Sequence, residues 1–259
     1  MATDFDLTGR VAIVTGGNGG IGYGIAQGLA QAGANIVVAA RQPAKNAQAT
    51  ANLQALGVRA LSVSTDVQDE ASVRAMVEAT VEIFGRVDIL VNNAGINIRK
   101  APQDYTLEEW QQVLHTNLTG VFLCARAVYP YMRQAGGGKV INIGSMTSIF
   151  GSSVSPAYAA TKGGVVQFTK AWRCSGPRTI FRSMRFSQGG FTRTSRPLPL
   201  QSAIAPSPYG YRRDAGGSQT NSPGLRSSLP ATPLTTSRAL LCQWTGVTRR
   251  SKLVLPERC

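Results

Sequence analysis

The sequence predicts an α/β protein built on a doubly wound parallel sheet. Up to about residue 170, short continuous apolar runs alternate with longer segments of helical period. Glycine is abundant, at 28 of 259 residues, and one glycine cluster directly follows the first apolar run. Strands that alternate with helices of this length form a parallel sheet covered by helices on both faces.

Each predicted strand is a short, nearly continuous apolar run, as expected for strands that are buried on both faces. The five runs are residues 11–15, 35–40, 60–65, 87–91 and 139–143. The segments between them have the spacing of amphipathic helices, and they span residues 20–31, 44–56, 69–84, 106–133 and 156–170. Asp69 is a predicted helix N-cap, and Thr106 and Glu109 have the spacing of a capping box.

Composition changes abruptly near residue 171. Residues 1–170 contain 13 basic and 11 acidic residues, whereas residues 171–259 contain 14 basic and 2 acidic residues, so the net charge of +14 lies mainly in the second part. That part also holds nine of the 13 prolines and shows neither helical nor strand period. Because the charge is confined to this tail, we expect no nucleic-acid partner.

Several protein classes are excluded by simple features. The N-terminus is polar and lacks the apolar core of a signal peptide, and no apolar run has the length of a membrane span. We therefore expect a cytoplasmic protein without a membrane partner. The four cysteines form no CxxC pair, and the single histidine, His115, has no metal-ligand spacing. We expect no metal site.

The glycine cluster between the first strand and the first helix predicts a dinucleotide site of the Rossmann type. Glycines let the backbone turn tightly and approach a pyrophosphate, and the free N–H groups of the following helix attract the anion. The candidate cofactor residues here are Gly16, Asn18, Gly20, Ile21 and Gly22. The position of the cluster makes this reading stronger than that of a purely structural turn.

The end of the second strand bears on the choice of cofactor. An acidic residue there would accept hydrogen bonds from the adenosine ribose and indicate NAD, but the strand ends at Ala40-Arg41. Arg41 is suited to a 2′-phosphate, which favours NADP. NAD remains an alternative, with Arg41 as a solvated surface residue.

Five motifs, in order and with matching spacing, resemble those of the short-chain dehydrogenase/reductase family. They are TGGNGGIG at residues 15–22, Asp66-Val67, the NNAG segment at residues 92–95 with its cofactor residues Asn93, Ala94 and Gly95, the helix asparagine Asn117, and Tyr158-x-x-x-Lys162 preceded by Ser145. The resemblance covers residues 7 to about 170. It implies that Asp66 and Val67 contact adenine and that the NNAG segment lies under the cofactor.

The resemblance also implies an alcohol/carbonyl oxidoreductase with a small-molecule substrate. Tyr158 is then the acid/base, Lys162 lowers the pKa of the phenol and holds the nicotinamide ribose, and Ser145 polarises the substrate oxygen. Asn117 supports a proton relay. A lysine four residues after a tyrosine lies on the same helix face, where its positive charge favours phenolate.

Residues 171–259 depart from the family, which continues with a sixth strand, a Pro-Gly loop, a last helix and a seventh strand. We therefore expect these elements to be missing or disordered, with a domain at residues 1–170 and a basic tail at 171–259. Translation of compatible codons one nucleotide out of frame gives SLAVQWAPDNIQVNAILPGWIHTDL, which contains the family's strand and Pro-Gly loop. Our hypothesis is that the tail is a frameshifted translation.

Such a shift has structural consequences. The edge of the fifth strand is expected to be exposed, and the helix from residue 156 is expected to stop near Lys170. We expect poor folding or weak cofactor binding. The family's homodimer or tetramer is in question for this chain.

Three functions stay open. The segment INIRKAPQDYTLEEW resembles sugar-acid and polyol dehydrogenases, and Arg99 and Lys100 suit an anionic substrate unless they are a solvated charge pair. The second is a 3-oxoacyl-acyl-carrier-protein reductase. The third is a non-catalytic frameshifted remnant with a basic tail.

Overall fold

The computed structural model describes residues 6–175 and 183–187. Its strands are β1 (Val11–Thr15), β2 (Asn35–Ala40), β3 (Ala60–Ser64), β4 (Ile89–Asn92), β5 (Lys139–Ser145) and β6 (Ser183–Ser187). Its α-helices are α1 (Gly20–Gln31), α2 (Pro43–Gln54), α3 (Glu70–Phe84), α4 (Leu107–Leu114), α5 (Gly120–Gln134) and α6 (Pro156–Ser175).

The sheet has six parallel strands in the order β3-β2-β1-β4-β5-β6. The order reverses direction after β1, which makes the sheet doubly wound, as predicted. In such sheets ligands bind at the carboxyl ends of the strands beside this reversal. The ends of β1 and β4 meet there, and both carry predicted cofactor residues.

A sixth strand is present, and the prediction that it is missing is wrong. Ser183–Ser187 pairs in parallel with β5, from Ile141 opposite Ser183 to Ser145 opposite Ser187. A ladder of backbone hydrogen bonds needs an extended chain without an interrupting proline, and SMRFS supplies one whatever its side chains. The edge of β5 is therefore covered. The predicted absence of the seventh strand and the last helix concerns residues that lie outside the described part of the chain, and it stays a prediction.

Helix α6 is also longer than predicted and reaches Ser175 instead of ending near Lys170. The described elements therefore pass the expected domain boundary at residue 170, and they fall in one compact unit, Met1–Phe191.

Local sequence explains where α3 and α4 begin. Asp69 caps α3 by accepting a hydrogen bond from Ala71 N–H, and Thr106 and Glu109 form the predicted capping box of α4.

The apolar runs supply two cores, one on each side of the sheet. In β1, Val11 and Ile13 pack on the side of α3 and α5, whereas Ala12 and Val14 pack on the side of α1 and α2. Alternate residues thus face opposite layers although the run is continuously apolar. Both layers are buried, so the central strands, whose carboxyl ends carry the site residues, are packed on both faces.

Asp88 ties the sheet together at the amino ends of its strands. Its carboxylate accepts hydrogen bonds from Arg10 at 2.9 Å, from Arg86 at 2.6 and 2.8 Å, and from Val11 N–H at 3.0 Å. Burial raises the pKa of this carboxyl group, but the hydrogen bonds from Arg86, Arg10 and Val11 outweigh burial, and the net pKa is lowered. The carboxylate is therefore ionised where β1 and β4 begin.

Candidate active site

The glycine turn after β1 has close neighbours that only a glycine tolerates. Gly16 has a φ of +65°, and its N–H donates to Ala39 O at 2.7 Å. A Cβ at Gly16 would lie 2.9 Å from Asn93 Nδ2 and 3.2 Å from the Cα of Ala94. Gly22 is enclosed by Gly16 and Asn93 in the same way. The turn therefore packs directly on the end of β4.

The start of α1 has the properties of a site for an anionic cofactor. Gly19 caps the helix without a side-chain hydrogen bond, and the first turn contains no acidic residue. A Cβ on Gly19 or Gly20 would meet no atom within 4 Å, so the start of the helix is open on that side, and Ile21 is 42% exposed beside it. Free N–H groups and the positive end of the helix dipole fit a pyrophosphate.

Thr15 connects β1 to the NNAG segment, and sequence reasoning did not single it out. Its hydroxyl donates to Val91 O at 3.2 Å and accepts from the N–H groups of Asn93 and Ala94, both at 3.0 Å. The Asn93 side chain donates in return to Thr15 O at 3.0 Å. These bonds fix the floor of the predicted cofactor site. The signals for this role were its place at the end of a strand and its position as the first residue of the TGGNGGIG motif.

The adenosine end of the predicted site contains Arg41, Asp66 and Val67. Arg41 is exposed directly after β2. Asp66 is half-buried, and its carboxylate accepts from Gln68 N–H at 3.0 Å, which fixes the turn after β3. Val67 is buried against Gly120, where a Cβ would come within 2.9 Å of its side chain. All three residues lie at the carboxyl ends of β2 and β3.

Asn117 lies in a π-helical turn, His115–Thr119, between α4 and α5. Its buried side chain accepts from Ile96 N–H at 2.8 Å and donates to Ile96 O at 2.8 Å and to Thr161 Oγ1 at 3.3 Å. Thr161 donates in turn to Tyr158 O at 2.8 Å. The widened turn therefore connects the loop after β4 to α6.

Thr161 is a second residue that sequence reasoning missed. His115, at the start of the same turn, is exposed, as expected of a surface residue.

Ser145, Tyr158 and Lys162 come together as the sequence predicts. Ser145 is the last residue of β5, and its hydroxyl accepts from Thr147 N–H at 3.3 Å. The Tyr158 side chain hydrogen-bonds with that of Ser145. Lys162 is 5% exposed, and its Nζ lies 5.6 Å from the Tyr158 ring centroid and donates to Ile143 O at 2.6 Å. One strand end and one helix face thus supply all three groups.

The electrostatics of the unliganded site differ from the sequence expectation. Burial raises the pKa of Tyr158, and the hydrogen bond with Ser145 opposes this rise. Burial lowers the pKa of Lys162 to about 8. We expected Lys162 to lower the phenol pKa, but in this structure desolvation dominates. Tyr158 therefore holds its proton at neutral pH.

The loop after β4 borders the site on the substrate side. Asn97 Nδ2 donates to Ser155 Oγ at 3.2 Å, just before α6. Lys100 forms an ion pair with Glu109 at 2.5 Å, so its charge is compensated. Arg99 is exposed and takes part in no ion pair within residues 6–175. Of the two basic residues predicted to attract an anion, only Arg99 is unpaired in this way.

The described residues contain neither a metal-ligand cluster nor a membrane span. No group of three or more metal-ligating side chains is close enough to hold an ion there. No helix there combines the length and apolar character of a membrane span.

Comparison with known proteins decides the family. The short chain dehydrogenase family model matches residues 10–192. The chain belongs to this family. Its glycine turn, NNAG segment and Ser145-Tyr158-Lys162 group are thus parts of a short-chain dehydrogenase/reductase, which is an oxidoreductase.

Relatives of this short-chain dehydrogenase include proteins that are named for different activities. An uncharacterized oxidoreductase of Thermotoga maritima is 40% identical over 183 residues, 71% of this chain and 72% of the relative. A 3-oxoacyl-[acyl-carrier-protein] reductase of Synechocystis is 41% identical over 165 residues, 63% of this chain and 67% of the relative. A 2-dehydro-3-deoxy-D-gluconate 5-dehydrogenase of Dickeya dadantii is 40% identical over 64% of this chain and 65% of its own.

A solved structure shares the fold. It is a short-chain alcohol dehydrogenase from Sinorhizobium meliloti 1021, with a TM-score of 0.65 and 38% sequence identity. The similarity covers 67% of this chain and 69% of that one.

Proposed function

We propose that this short-chain dehydrogenase transfers a hydride between NADP and a small carbonyl compound or secondary alcohol, with a sugar acid or polyol as the substrate class. The observation that supports the proposal is the convergence of Ser145, Tyr158 and Lys162 beside an anion-binding glycine turn. A tyrosine that keeps its proton at neutral pH, next to a serine hydroxyl, suits proton donation to a carbonyl oxygen.

In the proposed reaction, Ser145 Oγ donates a hydrogen bond to the substrate oxygen and polarises the carbonyl group. Tyr158 donates its phenolic proton to that oxygen during reduction and takes it back during oxidation. Lys162, with a pKa of about 8, is mostly charged at neutral pH and stabilises the phenolate that reduction leaves behind. Asn117 holds the loop after β4 against α6 and so supports the relay.

The chain's own residues fit a nicotinamide cofactor, which when bound supplies or accepts the hydride. The open start of α1 would hold its pyrophosphate, and Asp66 and Val67 would border its adenine. The ribose next to the nicotinamide would contact Tyr158 and Lys162. Arg41 would bind the 2′-phosphate, which supports NADP over NAD, and NAD remains the alternative.

The substrate class rests on Arg99, the exposed and unpaired cation in the loop that borders the site. A carboxylate-bearing substrate would complement it. The alternative is a 3-oxoacyl-acyl-carrier-protein reductase, because relatives with both activities match this chain to a similar degree.

A substrate panel tests the proposal. We would measure oxidation of NADPH and NADH with keto-sugar acids and with acetoacetyl thioesters, using Tyr158→Phe as the inactive control. Turnover of a keto-sugar acid with NADPH, lost in Tyr158→Phe, is the expected result. Turnover only of the thioesters would favour the alternative, and turnover that persists in Tyr158→Phe would overturn the assigned chemistry.

We also propose that residues 171–259 are a shifted-frame translation of a family C-terminus. The Thermotoga relative supports this, because the 183 matched residues are 71% of this chain and 72% of the relative, so the two chains have nearly the same length although more than a quarter of each is unmatched. The coding DNA decides the point. If codons 171–247 in the shifted frame do not encode a helix, a strand and a Pro-Gly loop, the proposal fails.

On this proposal the family's cover over the nicotinamide is absent, and we expect weak cofactor binding. A cooperative thermal transition together with micromolar NADPH binding would contradict that expectation. A chain that binds no cofactor at all would instead favour the non-catalytic remnant. The cytoplasmic location and the homodimer or tetramer stay predictions.

A further inference from the structure

One buried carboxamide joins three backbone segments at the adenosine end of the predicted cofactor site. Asn46 lies on α2 and is 1% exposed. Its Nδ2 donates to Ala40 O at 2.6 Å and to Val63 O at 3.3 Å, and its Oδ1 accepts from Asn18 Nδ2 at 2.7 Å. The ends of β2 and β3 and the glycine turn are thereby tied to a single side chain.

The chemistry of the partners fixes how both amides are oriented. The carbonyl oxygens of Ala40 and Val63 only accept hydrogen bonds, so the NH2 group of Asn46 must face them. Its oxygen then faces Asn18, which must present its own NH2 group. One N–H of Asn18 is used in this bond. The second N–H is left to donate to a ligand, from a half-buried position between Gly17 and Gly19.

The surroundings of this carboxamide point to an anion. Arg41 directly follows Ala40, whose carbonyl oxygen Asn46 holds, and Arg41 takes part in no ion pair within residues 6–175. Lys45 is exposed one residue before Asn46, and residues 41–54 contain no Asp or Glu. Helix α2 starts at Pro43 without a side-chain cap, so its positive end is also directed here.

We propose that Asn46 is a positioning residue that determines cofactor specificity, because it ties Asn18 to the end of β2 that carries Arg41, and these two residues would contact a 2′-phosphate. The inference rests on the proposed NADP function but assigns a role to a residue outside the family motifs. Without the carboxamide, the glycine turn and the end of β2 would move independently. The two partners of the 2′-phosphate would then no longer be preorganised.

The experiment uses adenosine 2′,5′-bisphosphate and ADP as probes, because both occupy only the adenosine half of the site. Calorimetry on the full chain would give Kd for the parent, Asn46→Leu and Asn18→Ala. We expect the parent to prefer the bisphosphate, and we expect Asn46→Leu to weaken bisphosphate binding at least tenfold and ADP binding about threefold, so that the preference shrinks. Asn18→Ala should have a smaller effect in the Asn46→Leu background than in the parent.

Thr50→Val is the matched control. Thr50 is buried one turn further along α2, and its hydroxyl has no hydrogen-bond partner among the described residues, so its removal takes a polar group from the same helix without touching Asn46. Both Kd values should stay within twofold of the parent. Hydrogen exchange of the ligand-free protein adds a second measurement, in which Asn46→Leu should speed exchange in residues 16–22 and 40–42 and Thr50→Val should not.

The outcomes separate the two proposals. If the parent binds the bisphosphate no better than ADP and Arg41→Ala changes nothing, the NADP assignment fails. If the parent prefers the bisphosphate and Asn46→Leu keeps that preference, the role of Asn46 fails while NADP stands. If Asn46→Leu does not fold, Asn18→Ala decides, and an unchanged preference in that variant overturns the inference. A parent that binds neither probe overturns both.

Discussion

Thr161→Val tests whether the hydrogen bonds between Asn117 and α6 support the reaction. The Thr161 hydroxyl is fully buried, accepts from Asn117 Nδ2 at 3.3 Å and donates to Tyr158 O at 2.8 Å. Valine has nearly the same shape, so the substitution removes both hydrogen bonds without opening a cavity. Asn117 and the backbone of Tyr158 then lose their common partner.

The expected loss of kcat depends on which hydrogen bonds the neighbours of Thr161 retain. Asn117 Nδ2 keeps its hydrogen bond to Ile96 O at 2.8 Å, and only the longer of its two hydrogen bonds, the one of 3.3 Å, loses its acceptor. The net loss is then that of ordinary hydrogen bonds, about 1 kcal/mol. If all of it supports the reacting geometry, kcat falls about fivefold. KM for the cofactor should change less than kcat, because the glycine turn is untouched.

Thr169→Val provides a matched control on the same helix. Thr169 is also buried, donates to Val165 O at 2.7 Å and accepts from Asn142 Nδ2 at 2.8 Å. Its hydrogen bonds lead to Asn92 and Asn142 and not to Tyr158. The free energy of unfolding should fall by about 1 to 3 kcal/mol, because Asn142 loses a partner. The kcat should stay within twofold of the parent.

Steady-state kinetics with NADPH and the best carbonyl compound of the panel would measure kcat, and urea unfolding would measure stability. Thr161→Ser keeps the hydroxyl and should restore kcat. The reasoning is refuted if Thr161→Val keeps the full kcat. It is also refuted if Thr169→Val loses as much kcat, since the effect would then report helix stability alone.

Three further predictions concern charge and backbone. Asp88→Asn should lower the free energy of unfolding by about 2 kcal/mol at pH 7. Because the folded-state pKa of Asp88 is lowered, its contribution to stability is present above the unfolded pKa of about 3.9 and is lost as the pH falls through the folded-state pKa. Urea unfolding at several pH values should therefore show that the stability of the variant falls less steeply in acid than that of the parent. Lys162→Met should remove any inflection near pH 8 from the pH profile of kcat/KM, because burial gives this lysine a pKa of about 8, and an inflection that persists there would assign it to another group. Gly16→Ala should abolish NADPH binding in a fluorescence titration, because a Cβ would lie 2.9 Å from Asn93 Nδ2 at a φ of +65°, whereas Gly57→Ala meets no atom within 4 Å and should bind normally.

The local pattern was enough to place most of the fold. Strands such as β1 and β2 match their predicted bounds, because a strand buried on both faces is a continuous apolar run with polar or glycine residues at its ends. The capping box at Thr106 was equally readable, since both partners lie within four residues. The Ser145-Tyr158-Lys162 group could be predicted because the family motif specifies its spacing.

Other features depend on partners that are distant along the chain. Thr15 contacts residues 76 to 79 positions away, and Asn46 joins segments that no local period relates. The π-helical turn around Asn117 arises where that residue bonds to Ile96 and Thr161 at once. Strand β6 was not predicted for another reason. Backbone groups form a parallel ladder, so a segment without a strand-like apolar run can still pair with the edge of β5.

The pairing of β5 implies an order of events during synthesis. Strand β4 pairs with β5 only as far as Asn142, whereas β6 continues alongside it to Ser145. When the ribosome has released Tyr158 and Lys162, the part of β5 between Asn142 and Ser145 therefore still has no paired strand. Residues 183–187 must emerge before the backbone of Ser145 has a paired strand beside it. A chain terminated between these points would carry every proposed catalytic residue and yet lack the strand that pairs with one of them.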